Sequence, residues 1–215
     1  MKNKKLFFGY LGLSIAYLIL LLVNQESIAW FMKPLLIPFL ILGVYFSGAF
    51  PSKKYLLTAL AFSWIGDIIL LFTDRDELFF IVGLIAFLIS HIVYILLFNK
   101  QLRYKNRKNK AVFWIGVTTI IMYLIIMISI LLPVFVYALV ISTMLLFAFK
   151  GFLNWEESGN WYILTGAIAF VTSDSILAFN KFYNPIVLSS FLIMITYLIA
   201  QYLIVMGILK LNKKK

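Results

Sequence analysis

The chain has 215 residues, 64% of them hydrophobic and 13% charged, with a formal net charge of +11 and no cysteine. Soluble domains run at about 45–50% apolar and ~25% charged, and surface-to-volume scaling leaves a single core of this size too exposed to hide such a composition from water. The chain is therefore solvated by lipid, which excludes a disordered protein, a disulfide scaffold and a nucleic-acid-binding module.

Eight apolar runs are long enough to cross about 30 Å of hydrocarbon as helices. The first, Leu6–Val23, follows Met-Lys-Asn-Lys-Lys and is read as a retained anchor, since no small-x-small cleavage site follows it. The second, Pro34–Phe50, has Lys33 at its outer mouth; the third, Tyr55–Phe72, contains Asp67. The fourth, Leu78–Phe98, carries His91 and Tyr94, three residues apart and so on one face. Ala111 to Phe149 is one apolar stretch of 39 residues, which as a single helix would run ~58 Å. Leu132-Pro133 divides it into a fifth span, Ala111–Ile130, and a sixth, Val134–Phe149. The seventh, Trp161–Phe179, contains Asp174, and the eighth, Ile186–Leu209, carries Tyr197 and Gln201, again on one face. The runs are continuously apolar rather than alternating, so they are helices and not barrel strands.

Charge in the loops orients the spans. Lys2, Lys4, Lys5, the Lys53-Lys54 link, the tract from Lys100 to Lys110, Lys150 and the terminal Lys210, Lys213, Lys214 and Lys215 put sixteen basic residues on one side and three on the other. The positive-inside rule then places both termini in the cytoplasm, in agreement with an even number of spans. The expected architecture is an all-α integral membrane protein, one polytopic domain over residues 1–215, in a bacterial inner membrane. Trp30, Trp114, Trp155 and Trp161 fall near span ends as interface anchors, and Glu156 and Glu157 sit in a cytoplasmic loop.

The segment 57–72 resembles the segment 107 positions later: six of sixteen residues are identical, the aspartate among them. This pattern fits a parallel repeat of two four-helix halves, 1–105 and 111–215; composition alone also generates matches of this kind among Leu, Ile and Phe.

Asp67 and Asp174 are the two acidic residues inside the expected spans. A mid-bilayer charge costs ~3 kcal/mol or more, so such groups face a cavity or a partner. Each stands five residues from the expected outer end of its span, at Phe72 and Phe179, hence about 8 Å deep and within reach of one chamber. Two carboxyls sharing such a chamber hold one proton between them, and then divide acid and anion roles as two-carboxylate hydrolases do. The alternative is that each is a packing group bonded to neighbouring hydroxyls, Ser63 for one, Ser173 and Ser175 for the other. Lys33 is either a snorkelling lysine or the cation for a lipid phosphate. With one histidine and no cysteine, no protein-only zinc site and no metal or cofactor is expected.

Lys33-Pro34, Ser63-x-x-Gly66-Asp67, Phe87-x-x-x-His91-x-x-Tyr94, Phe170-x-x-Ser173-Asp174-Ser175 with Ala178, and Thr196-Tyr197-x-x-Ala200-Gln201 follow one another in an order that resembles the YhhN-like lysoplasmalogenase family. The resemblance implies an eight-helix membrane hydrolase that cleaves the vinyl ether bond of a lysophospholipid substrate to a fatty aldehyde and glycerophosphoethanolamine or glycerophosphocholine. Asp67 and Asp174 would be its catalytic pair. Lys33, Ser63, His91, Tyr94, Ser173, Tyr197 and Gln201 would hold substrate or water. A proton-coupled small-solute transporter or lipid flippase is the competing class, since midplane aspartates in parallel repeats also suit a carrier; a structural membrane subunit is the third.

Overall fold

In lipid the backbone must satisfy its own polar groups, and continuous apolar runs do so as helices. The computed structural model describes residues 2–102, 132–155 and 159–213. Among these are seven α-helices and no strand: α1 (Lys2–Leu22), α2 (Glu26–Tyr45), α3 (Lys53–Leu70), α4 (Glu77–Gln101), α5 (Leu132–Asn154), α6 (Gly159–Phe182) and α7 (Ser189–Leu211). All but α3 are long and apolar enough to cross a membrane; α3 differs in carrying Lys53, Lys54 and Asp67 within its 18 residues. The protein is a multi-pass integral membrane protein. The expected span Ala111–Ile130, the basic residues from Arg103 to Lys110, Trp114, Glu156, Glu157, Lys214 and Lys215 lie outside the described residues.

The largest departure from expectation is α2. It starts at Glu26 rather than Pro34, so Lys33 is its eighth residue and not a group at its mouth. Both prolines sit inside the helix. Proline is tolerated in membrane helices when a neighbour takes over the carbonyl it strands. Pro38 has no N–H for the carbonyl one turn back, that of Pro34, and the indole N–H of Trp64 on α3 donates to it instead, at 2.7 Å. At the far end the Lys53 ammonium donates to the carbonyls of Tyr45 and Ser47, both at 2.8 Å, a cation placed on the orphan carbonyls of a helix terminus. The Asp76 carboxylate accepts the Leu78 N–H at 2.8 Å and caps the start of α4.

The chain divides into two compact units, residues 1–94 and 95–215, with the boundary inside α4. Antiparallel helix pairs build each. In the first unit, a Cβ on Gly9 would stand 2.9 Å from the Phe39 ring, and one on Gly43 would stand 2.8 Å from the Phe7 ring. Each of the two helices thus offers a glycine to the other's phenylalanine. α3 and α4 repeat the device, with Gly66 under Phe87 and Gly83 under Leu70. In the second unit α6 and α7 approach most closely, Gly166 against Ala200 and Ile204, Gly207 against Gly159 and Ile163. Small residues give membrane helices the close contact that no hydrophobic effect supplies there. The outward faces carry Phe8, Ile15, Ile19, Phe31, Ile81, Ile85, Leu139, Ile168 and Ile199, while Ser63, Asp67, Ser90, His91, Ser173 and Gln201 are buried.

Trp155 is not an interface anchor. It is 7% exposed, its indole N–H donates to the Gln101 carbonyl at 2.9 Å, and its ring covers Gly151 and meets Phe98 edge-on. Trp30 and Trp161 are exposed.

Candidate functional site

The first unit gathers Lys33, Ser63, Asp67, His91 and Tyr94. α2 and α3 run antiparallel, and three cross-links tie them at successive heights: Trp30 Nε1 to the Leu71 carbonyl at 3.2 Å, Lys33 Nζ to Asp67 Oδ1 at 4.0 Å, and Trp64 Nε1 to the Pro34 carbonyl. The ion pair is longer than the 2.7–2.9 Å of a direct charge-assisted bond, so ammonium and carboxylate face each other across a gap. Ser63 pairs with Ser90 of α4 at 2.8 Å, and Ser90 donates to the Ala59 carbonyl. His91 is fully buried and bonded to the Phe87 backbone one turn earlier. Tyr94 is fully buried one turn further on.

Sequence reading missed the contribution of α1. Tyr10 and Tyr17 are buried, and both lie within electrostatic range of Asp67. Tyr94 lies within range of Tyr10 as well. The available signal was the spacing of Tyr10, Ser14 and Tyr17, which marks one helical face but is masked by the apolar run around it.

The second unit gathers Ser173, Asp174, Tyr197 and Gln201. Tyr137 of α5 donates to Asp174 Oδ2 at 2.7 Å. Ser173 donates to the Ile193 carbonyl of α7 at 3.0 Å, and Ser175 to the Val171 carbonyl of its own helix at 2.6 Å. Tyr197 is buried and meets Phe170 edge-on at 5.5 Å; Gln201 is fully buried one turn beyond it. Tyr137 had no signal in the sequence, being one of twelve tyrosines in an apolar background.

Equal distance of the aspartates from their helix ends does not hold. Asp67 is three residues from the end of α3 at Leu70, whereas Asp174 is eight from the end of α6 at Phe182. After Leu70 the chain passes into turns, while α6 continues through Asn180 and Lys181. Among the described residues no cluster of His, Asp or Glu is arranged to hold a metal.

Residues 28–208 match the model of the YhhN family. The chain belongs to the YhhN family. Two relatives carry the name lysoplasmalogenase TMEM86A, from Homo sapiens and from Bos taurus; each is 30% identical over 168 residues, covering 77% of this chain and 69% of the relative. No solved structure matches significantly. The matched stretch begins at residue 28 and so takes in the helices that carry both aspartates, while α1 precedes it.

Proposed function

We propose that this YhhN protein is a lysoplasmalogenase-like hydrolase, cleaving the vinyl ether of a lysophospholipid by acid catalysis with Asp67 and Asp174. The observation that carries the reading is that Asp67 and Asp174 each have a chemically distinct partner on the preceding helix. Asp67 has the Lys33 ammonium and Asp174 the Tyr137 phenol. The relatives named lysoplasmalogenase support it.

A vinyl ether hydrolyses when its β-carbon takes a proton, which leaves an oxocarbenium ion shared by the α-carbon and the ether oxygen. Water then adds with loss of a proton, and the hemiacetal collapses to an aldehyde and the free glycerol hydroxyl. The slow step calls for a general acid and for a fixed anion near the developing positive charge. Asp67, faced by a cation, is assigned the anion's role; Asp174, faced by a neutral phenol, is assigned the acid's. Tyr137 orients Asp174 by occupying one of its oxygens. Lys33 meets the phosphate, and Ser63, His91, Tyr94, Ser173, Tyr197 and Gln201 order the glycerol and water. Eight spans with cytoplasmic termini complete the proposal.

Purified protein in detergent with lysoplasmalogen tests this directly: release of fatty aldehyde is expected. A flippase or carrier needs two compartments and releases none under those conditions, so an inactive but folded sample would overturn the enzyme reading. Lys33→Ala is expected to raise KM chiefly; a loss confined to kcat at saturating lipid contradicts the phosphate role.

A further inference from the structure

A helix that only anchors a protein in lipid has no reason to bury polar groups. α1 buries little else. Among its described side chains the buried ones are Tyr10, Ser14 and Tyr17, exposed by 1%, 6% and 4%. All three carry hydroxyls, and their spacing of four and three residues puts them on one face. Phe8, Ile15 and Ile19 are turned outward. The pattern is polar within and apolar without, which is how a helix lines a polar site inside a membrane.

The groups that α1 faces have complementary chemistry. α1 packs antiparallel on α2, Gly9 against Phe39 and Phe7 against Gly43, a register that sets Ser14 and Tyr17 near the height of Lys33; Asp67 on α3 lies within electrostatic range of Tyr10 and Tyr17, and Tyr94 on α4 within range of Tyr10. Lys33 on α2 stands 4.0 Å from Asp67. A buried phenol needs a partner for its hydroxyl, and three phenols, a serine hydroxyl and one ammonium make up a set of donors suited to an anion that also bears hydroxyls. A phosphorylated glycerol has that chemistry: the phosphate takes the ammonium and the glycerol oxygens take the hydroxyls.

We infer that the hydroxyl face of α1, Tyr10, Ser14 and Tyr17, forms with Lys33 a subsite for the glycerophosphate headgroup of a lysophospholipid. The inference rests on the lysoplasmalogenase reading for the identity of the lipid, but it concerns binding and does not depend on turnover. It makes α1, which lies outside the stretch matched by the family, a substrate-binding element rather than an anchor.

The test is equilibrium binding in detergent of a saturated 1-O-alkyl lysophospholipid, which has no vinyl ether to cleave. Tyr17→Phe and Ser14→Ala, each a minimal change that retains the packing body of the side chain, are compared with the wild type. A long-chain alcohol with the same tail and no headgroup is the control ligand. Each variant is expected to weaken lysophospholipid binding about tenfold, the loss of one hydrogen bond to a glycerol oxygen, and to leave alcohol binding unchanged. Wild-type affinity in both variants, or an equal loss for the alcohol, would overturn the subsite. Tail-less glycerophosphoethanolamine separates a lipid from a soluble ester: competition as strong as that of the lysophospholipid would overturn the lipid assignment. Binding to the wild type without aldehyde release from the vinyl-ether lipid would defeat the hydrolase reading and leave the subsite standing. Aldehyde release with an unchanged KM in both variants would do the reverse.

Discussion

The triplet α2–α3–α4 and the triplet α5–α6–α7 place their aspartates by the same rule with different chemistry. In each, the middle helix sends its aspartate back to the preceding helix, Asp67 to Lys33 and Asp174 to Tyr137. In each, the residue just before the aspartate engages the following helix, Gly66 beneath Phe87 and Ser173 on the Ile193 carbonyl. The shared rule fits the sequence likeness between segments 57–72 and 164–179. The difference in partners means that two helix triplets of similar layout give their aspartates unlike surroundings. An ammonium sets a carboxylate's charge, whereas a phenol sets its orientation.

The comparison breaks first at the aspartates themselves. Asp67→Asn and Asp174→Asn are each expected to lower aldehyde release by about 10³-fold or more while the protein still inserts, the scale on which general acids and preorganised anions act. Near-normal turnover in one of them would show that its triplet is scaffold only. Stability sharpens the contrast next. Lys33→Met leaves a buried carboxylate facing no ammonium and is expected to cost about 3 kcal/mol. Tyr137→Phe removes one neutral donor and is expected to cost about 1 kcal/mol, with a modest fall in kcat that Tyr137→Ala exceeds. Thermal unfolding in detergent measures both, and equal costs would mean that the two partners serve alike. Gly166→Ala adds a Cβ 2.8 Å from Ile204 and 3.1 Å from the Ala200 carbonyl, so α6 and α7 must part, at about 1–3 kcal/mol. Trp64→Phe strands the Pro34 carbonyl; an expected cost of about 1 kcal/mol sets it beside Tyr137→Phe as the mildest of these changes.

The helices were legible because lipid solvation makes an uninterrupted apolar run nearly sufficient to specify one. The aspartates were legible for the converse reason, as the residues a bilayer should reject. The start of α2 was not: the span reads as opening at Pro34, whereas the helix runs through Pro34 and Pro38, and the Trp64 contact that satisfies the stranded carbonyl spans 30 residues. Partners were illegible for the same cause: Tyr137 meets Asp174 across 37 residues, and no local spacing encodes such a pair. The neighbouring serines suggested as partners by proximity in sequence bond to backbone in the case of Ser173 and Ser175. Trp155 shows the limit of composition rules, since a tryptophan near a span end anchors an interface in one setting and seals a helix junction in another.

The rungs between α2 and α3 have a mechanical corollary. Indole N–H groups above and below hold the backbones in register, so the spacing between Lys33 and Asp67 is dictated by the frame and not by mutual attraction of the charges. On the proposed role of Lys33, an arriving phosphate would find the ammonium already presented, with no contact salt bridge to break open before taking its seat.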